Sequence, residues 1–549
     1  MRNMRRGIPN LLKDGTRHRS GLQEAVLKNL EACKQLADIT RTSMGPNGMN
    51  KMLINHLDKI FVTSDTATLL KELEVAHPAA KIMTMAAHMQ EAEVGDGSNL
   101  VIILIGELLA NAEELILQGL HPSDIIAGYT KAYRKCLELL ESPDLVVERF
   151  DGKDIENKEK VARALLSPMA SKQYGYEHFL APLVAEACMA VMPKNPFNFQ
   201  VDNVRVVKIL GGTLRESEVI NGMVIPYPTL GSIKRIENAK VAVFTCAIQC
   251  ADTETKGTVL IENASELMSF NVSEEREIER TIKAIADSGV RVVVTGETID
   301  DMAIHFLEKY GMIALKCPSK FELRRICKAT KARPLVSLGP VRPEEQGFAA
   351  CVSVREFGLQ KVTVFEQGAS DHVQVATILL RSSTHNILND VERAIDDGVN
   401  TVRALTRDGR LVAGGGAFEI ELARRLGNFA TQAPGLEQYA LDRFAKALEV
   451  VPRALAENGG QVAMDVISQL YAAHEKGQLH AGFDIEKHAV GDIYKEQGIM
   501  DLLGLKRQAI KLAIDAVLSI LRIDAIIQSK PAGGPKGKQN QGHWDDNDD

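Results

Sequence analysis

The hydrophobic pattern of this chain changes period twice, and that double change constrains the fold more than any single motif. From Leu22 to Thr40 apolar residues recur at helical spacing (Leu22, Val26, Leu30, Cys33, Ala37), and similar stripes cover Ala79 to Glu91, Asn99 to Gln118 and Pro122 to Leu140. Two short runs between the first helices, Lys51 to Asn55 and Lys59 to Thr63, have strand-like composition and a polar link, the pattern of a hairpin. From about Ala239 strand and helix alternate: Val241 to Thr245, a helix ending near Ser288, Val290 to Thr295, a helix from Asp300, Met312 to Cys317, and a helix from Ser319. That alternation predicts a parallel α/β unit. Strands follow at Ala350 to Glu356, Lys361 to Glu366 and Val375 to Ser382, after which helical patterns return from Asn389 to Leu521. A chain that leaves a helical region and comes back to one encodes a domain inserted within a discontinuous one.

Length supports that reading, because 549 residues exceed what one hydrophobic core usually holds, and three domains are expected. Hydrophobic residues at 45% and charged residues at 25% exclude a disordered or membrane chain. The net charge of -7 offers no basic face for nucleic acid. The longest apolar run, Leu100 to Ala110, is interrupted by Glu107 and is too short to span a bilayer. Eight scattered cysteines show no paired CxxC spacing; Cys246 and Cys250 form a lone CxxxC, so reduced thiols and no structural metal are expected. Arg2, Arg5, Arg6, Arg17 and Arg19 hint at a transit peptide, but Asp14 and Pro9 argue against one, and a cytosolic location is expected. Gly211-Gly212 fits a hinge or an ordinary loop. The tail from Pro531 to Asp549, which holds the only tryptophan, Trp544, is too polar to offset its ordering entropy and is expected to be disordered.

Several modest motifs carry chemistry. Gly45-Pro46-Asn47-Gly48 follows a long helix and precedes a strand, where glycines let backbone amides approach an anion, although the same pattern ends many helices. In Gly95-Asp96-Gly97-Ser98-Asn99 a carboxylate between glycines, just before a helix, can hold Mg²⁺ while the following amides meet phosphate, although GDG by itself is mostly a turn. Asp65 stands at a helix start, where an N-cap is its ordinary role. Asp396 and Asp397 lie in a charged helical stretch, normally a solvated face. Gly414-Gly415-Gly416 before the helix Ala417 to Leu426 permits close approach of a ligand or serves as a flexible hinge. If Asp65, Asp96 and Asp397 converge, one carboxylate is available for Mg²⁺ and two for the attacking water of phosphoryl transfer. There is no Walker A loop, no HExxH zinc helix and no GxSxG elbow.

Together GPNGMNKM, TSDTATLL, EVGDGSN, MASKQYG, ETKGTVLI, AIDDGVNT, VAGGG and GIMD resemble the chaperonin family, in the branch found in archaea and the eukaryotic cytosol. The resemblance covers nearly all of Pro9 to Pro535, and segments such as ELEVAHPAAK and VPRALAENGG point to one paralogue within it. It implies a multidomain α and α/β fold: a helical equatorial domain from residues 1–154 and 414–530, a small intermediate domain from 155–224 and 377–413, and an α/β apical domain with a helical protrusion over 225–376. It implies an ATPase using ATP/ADP and Mg²⁺, with Asp96 on the metal and with Asp65 and Asp397 as water-activating acids. Met44, Gly45, Gly97, Ser98, Asn99 and Leu100 would line the phosphates, and Gly414 and Gly415 would approach the nucleotide. Gly482 would meet the adenine, and Asp501 and Lys506 the ribose and base. Lys172, beside Ala170 and Ser171, matches a nucleotide-sensing lysine on a mobile loop.

The implied partners are seven paralogous subunits in eight-membered double rings, unfolded clients of the actin and tubulin class, and a prefoldin-like co-chaperone. Thr66 and Ser171 stand where glycine is common in the family, and Asn99 where threonine is common, which puts the ATP affinity and turnover rate in question. Segment Glu254 to Arg276 resembles the family's helical protrusion, with Val259, Leu260, Ile261, Leu267, Met268 and Phe270 read as packing or client contact. The helix Ser319 to Lys331 resembles one wall of a client groove; its Lys320, Arg324, Arg325, Lys328 and Lys331 suit an acidic client stretch or a plain solvated face.

Overall fold

A computed structural model describes residues 17–20, 25–55, 58–152, 154–249, 264–358, 360–368 and 373–528. The expectations for the tail 531–549, for Cys250 and for the start of the protrusion, including Val259, Leu260 and Ile261, lie outside these residues, as do the side chains of Leu267, Met268 and Phe270.

The helical stripes at the two ends of the chain bury one common core. Leu30 and Cys33 from helix Leu27–Arg41, Met83 and Ala87 from Pro78–Glu93, and Ile102, Ile105 and Leu109 from Ser98–Leu117 pack in one cluster with Phe444, Ile514 and Val517. Helix Ser98–Leu117 is buried nearly all round, as its almost continuous apolar run requires. Gly106 lets it approach Leu27–Arg41: a β-carbon there would lie 2.2 Å from Ala37 Cβ. The buried Tyr129 places its ring edge-on to Phe444 and donates its hydroxyl to the Leu108 carbonyl at 2.9 Å. Strands Arg17–Ser20 and Ala525–Gln528 pair antiparallel, and Lys51–Ile54 pairs with Ile60–Thr63 as the expected hairpin.

A second, smaller core joins helices Lys158–Ala164, Leu166–Lys172 and Glu177–Ala190 to the long helix His385–Arg407. Its sheet sets Ala376–Ser382 between Val204–Leu210, parallel, and Glu218–Ile220, antiparallel. Gly211 and Gly212, both at positive φ, follow Val204–Leu210, and the Gly211 amide donates to the Ser382 carbonyl at 2.9 Å.

The middle of the chain forms the large sheet, and the parallel unit expected from sequence makes up one half of it. Ile313–Lys316, Val292–Thr295 and Arg235–Phe244 are parallel neighbours, but Gly347–Phe357, Gln360–Glu366 and Gly222–Ile225 continue the sheet antiparallel, so it is mixed. For Gly347–Phe357 and Gln360–Glu366 the cause is connection length: two intervening residues can only reverse the chain, whereas the helix-bearing crossovers earlier in the sheet return each strand parallel. The strand expected at Val375 to Ser382 belongs to the smaller sheet, and Gly222–Ile225, which straddles the 224/225 boundary drawn from sequence, belongs to the large one. Along Arg235–Phe244 alternate residues feed opposite faces: Val241 and Val243 pack with Leu323 and Ile326, Ala242 and Phe244 with Ile282 and Leu307. Among the described residues no helix is long and apolar enough to cross a membrane. The described cysteines are free thiols; Cys33, Cys136, Cys188 and Cys317 are buried, and burial pushes Cys33 up to about 12.

Candidate functional site

Two acids set far apart in the sequence pair with one lysine, and a third, Asp96, lies within reach of its charge. Asp65 caps helix Thr66–Glu72, accepting from the Thr68 amide at 3.0 Å and the Thr68 hydroxyl at 2.6 Å, so its ordinary capping role is real. Its other oxygen, Oδ1, lies 3.0 Å from Lys172 Nζ. The same ammonium is ion-paired with Asp397. The solvated-face reading therefore holds for Asp396, which is exposed, and fails for Asp397, which is 4% exposed. Gly398 makes the approach possible, because a β-carbon there would lie 2.2 Å from the Met169 methyl of the lysine's own helix.

Asp96 occupies a loop that only glycines permit. Gly95 and Gly97 adopt φ of +89° and +82°, the Gly97 amide donates to Asp96 Oδ1 at 2.6 Å, and Gln90 Nε2 holds the Asp96 carbonyl at 2.9 Å. Burial pushes the Asp96 carboxyl up, opposed by Lys172 and the Gly97 amide. Asp397 is driven well above the usual carboxylate range by burial and by its acidic neighbours Asp96 and Asp65, against the pull of Lys172. Burial also works against the Asp65 anion, but Lys172 and the Thr68 hydrogen bonds outweigh it and hold Asp65 at about 2. The Lys172 ammonium loses solvation yet is kept charged by Asp397, Asp65 and Asp96. One ammonium thus serves three acids, and the raised proton affinity of Asp96 and Asp397 shows that it does not satisfy them all.

Asp65, Asp96 and Lys172 border a cavity of about 520 Å³, within the range of small-molecule sites. Two helices open onto it through glycine caps: Gly97 for Ser98–Leu117 and Gly416, φ +80°, for Ala417–Gln432, neither with a capping side chain. Their first-turn amides thus lack the usual side-chain acceptor, and aligned amide dipoles favour an anion there. The loop at Met44 and Gly45 forms another wall; Asn458 Nδ2 ties it by donating to the Arg41 carbonyl at 3.1 Å and the Met44 carbonyl at 2.8 Å.

Opposite, Asp501 accepts from the Ser167 hydroxyl at 2.7 Å and pairs with Lys506 at 2.9 Å; Lys506 also pairs with the buried Glu419. Burial alone would neutralise the lysine, but Asp501 and Glu419 keep its ammonium charged. Asp501 is held below the usual range despite its burial, mainly by Lys506.

Of the residues singled out from sequence, Met44, Gly45, Asp65, Asp96, Gly97, Ser98, Asn99, Leu100, Ala170, Ser171, Lys172, Gly415, Asp501 and Lys506 line the cavity. Asp397 stands behind Lys172. Gly414 and Gly482 are not on the cavity surface; they pack behind it, where a β-carbon at Gly482 would lie 3.0 Å from the Gly415 carbonyl oxygen and 3.1 Å from that of Gly414.

Residues 36–531 match the model of the TCP-1/cpn60 chaperonin family. The chain belongs to that family. It is 50% identical over 530 residues to T-complex protein 1 subunit theta of Dictyostelium discoideum, covering 96% of this chain and 98% of the relative. The proteins of the same name from Arabidopsis thaliana, over 96% of both chains, and Homo sapiens, over 98% of both, are also 50% identical to it.

Chaperonin membership focuses attention on the departures from the family's motifs. Thr66 and Asn99 both line the cavity, and Thr66 Oγ1 and Asn99 Oδ1 are buried without a hydrogen-bond partner, while Asn99 Nδ2 reaches the Thr40 carbonyl at 3.4 Å. Ser171 turns its hydroxyl back to the Pro168 carbonyl at 2.8 Å. Among the described residues no group of three or more His, Cys, Asp or Glu side chains is arranged to hold a metal by itself. One carboxylate, Asp96, facing an open cavity suits Mg²⁺, which usually keeps several waters and takes the rest of its ligands from substrate phosphates.

Sequence reading missed Glu419, Ser167, Thr401 and Asn458. Glu419 carried a usable signal, an acid in the first turn after the glycine run. The other three have none, because a serine, a threonine and an asparagine inside helical patterns become site residues only through long-range contact.

Proposed function

We propose that this chain is an ATP-hydrolysing subunit of a hetero-oligomeric double-ring chaperonin, working as the theta subunits do in their complexes. Hydrolysis in the cavity rocks the smaller core against the helical one and closes the large-sheet domain over an unfolded protein. The supporting observation is the convergence of Asp65, Asp96 and Asp397 on Lys172 beside a cavity into which two uncapped helix N-termini open.

In this reading the first-turn amides of Ser98–Leu117 and Ala417–Gln432 hold the phosphates, and Lys506 and Asp501 flank the nucleoside. Asp96 holds Mg²⁺, which when bound neutralises charge developing on the transferred phosphoryl group. Asp65 and Asp397 orient the attacking water. Asp397, ion-paired with Lys172 and carried on the helix of the other core, is assigned the role of general base in this reading. Lys172 restrains both acids until a γ-phosphate competes for its ammonium. Partners in this scheme are seven paralogous subunits, clients of the actin and tubulin class and a prefoldin-like co-chaperone, all in the cytosol.

The test is Asp397→Ala in the assembled particle, reading conversion of radiolabelled azido-ATP photo-crosslinked to this chain. Conversion should fall by roughly two to four orders of magnitude, the usual contribution of a general base; unchanged conversion would remove the catalytic assignment. A second reading, a ring-completing subunit that holds nucleotide with little turnover, draws support from the unpartnered oxygens of Thr66 and Asn99. Nucleotide persisting on this chain while other subunits exchange theirs would favour it.

A further inference from the structure

Asp397 and Asp96 are carried by different cores, so something must register one on the other. The contacts one turn beyond Asp397 do this. Gly95 closes helix Pro78–Glu93, and the space a β-carbon would need there is filled by Asn400, whose Cγ would lie 2.2 Å from it. Three residues on, Arg403 Nη2 donates to the Glu93 carbonyl at 3.2 Å. Glu93 is the last residue of that helix, where carbonyls lack intrahelical donors and a cation is favoured. Asn400 and Arg403 therefore grip, from one face of His385–Arg407, the two residues flanking Val94 at the root of the Asp96 loop. Neither side chain lines the cavity, whereas Thr401 between them does.

We propose that Asn400 and Arg403 are positioning residues that latch helix His385–Arg407 onto the Asp96 loop and so set Asp397 in register with the nucleotide. The proposal rests on the catalytic reading of Asp397 given above. Because the latch touches the helix and the loop but not the cavity, it acts on the hydrolytic step and leaves nucleotide capture alone.

The experiment places Arg403→Ala, Asn400→Ala and Arg403→Lys in assembled particles. For each it measures half-saturation by azido-ATP and single-turnover conversion on this chain. The two alanine variants should lose roughly tenfold to a hundredfold in conversion, the scale of a misplaced reacting group, with half-saturation unchanged. Arg403→Lys, which keeps a cationic donor for the Glu93 carbonyl, should recover most of the rate. Unchanged conversion in both alanine variants overturns the latch, as does a rise in half-saturation that matches the loss of rate, the sign of a merely structural defect in the pocket. Asp397→Ala in the same assay separates the two claims. If it abolishes conversion while the alanine variants do not, only the latch fails; if it has no effect, the catalytic reading fails and takes the latch with it.

Discussion

Replacing Lys172 with methionine removes the one cation among three carboxylates, and the structure sets the size and pH dependence of the outcome. Asp65 moves from its ordinary 3.8 to about 2 largely because Lys172 is 3.0 Å away. At one pKa unit per 1.36 kcal/mol, the favourable state of Asp65 alone is worth about 2 kcal/mol at neutral pH. Asp397 and Asp96 lose the attraction of the same ammonium at the same time, so the total should approach the roughly 3–5 kcal/mol seen when a buried pair is broken from one side.

The sign of the pH dependence follows from the same groups. Asp96 and Asp397 already have raised proton affinities, so the folded state binds more protons than the unfolded one, and stability gains as pH falls toward their ordinary values. Without Lys172 that gain grows, and the deficit of Lys172→Met should be largest near pH 7 and shrink by about pH 5. Urea unfolding of the full-length chain at both pH values reads it directly. Added Mg²⁺ should stabilise the variant more than the parent, since it supplies the missing positive charge. A deficit below about 1 kcal/mol near pH 7, the size of an exposed pair, or one that grows on acidification, would refute the account of these acids as a charge-starved cluster.

Two further expectations concern the scaffold. Glu421 is fully buried; burial disfavours its anion, but His474, Arg424 and Arg425 hold it at about 2, so Glu421→Gln should cost about 3 kcal/mol or more in urea unfolding at neutral pH. With its folded pKa below the ordinary 4.5, this contribution is present above 4.5, and the gap between parent and variant should close as pH falls toward 2. Gly106→Ala places a methyl 2.2 Å from Ala37 Cβ between two helices of the main core, and its thermal unfolding should show roughly 1–3 kcal/mol of overpacking, despite alanine's better helix propensity.

The periodicity of the chain was enough to locate most helices and strands, because burying one face of an element repeats its apolar residues every 3.6 or 2 positions whatever it packs against. Helix Pro122–Leu140 runs over the residues its stripe indicates, and Asp300 and Ser319 cap the helices expected to start there. Return of the helical period after the α/β stretch also revealed the inserted architecture, and the glycines of the Asp96 loop announced themselves because only that residue tolerates positive φ without strain.

Only tertiary structure decided which acids meet Lys172. Asp396 and Asp397 are adjacent and chemically identical, and a 100° rotation between helical neighbours leaves one in solvent and the other against Lys172. The antiparallel half of the large sheet, the retreat of Gly414 and Gly482 behind the cavity wall, and the pairing of Lys506 with Glu419 were likewise undecided by local pattern. Each depends on contacts between segments tens to hundreds of residues apart. Local sequence sets which face of an element is buried; what that face meets is fixed when the cores close.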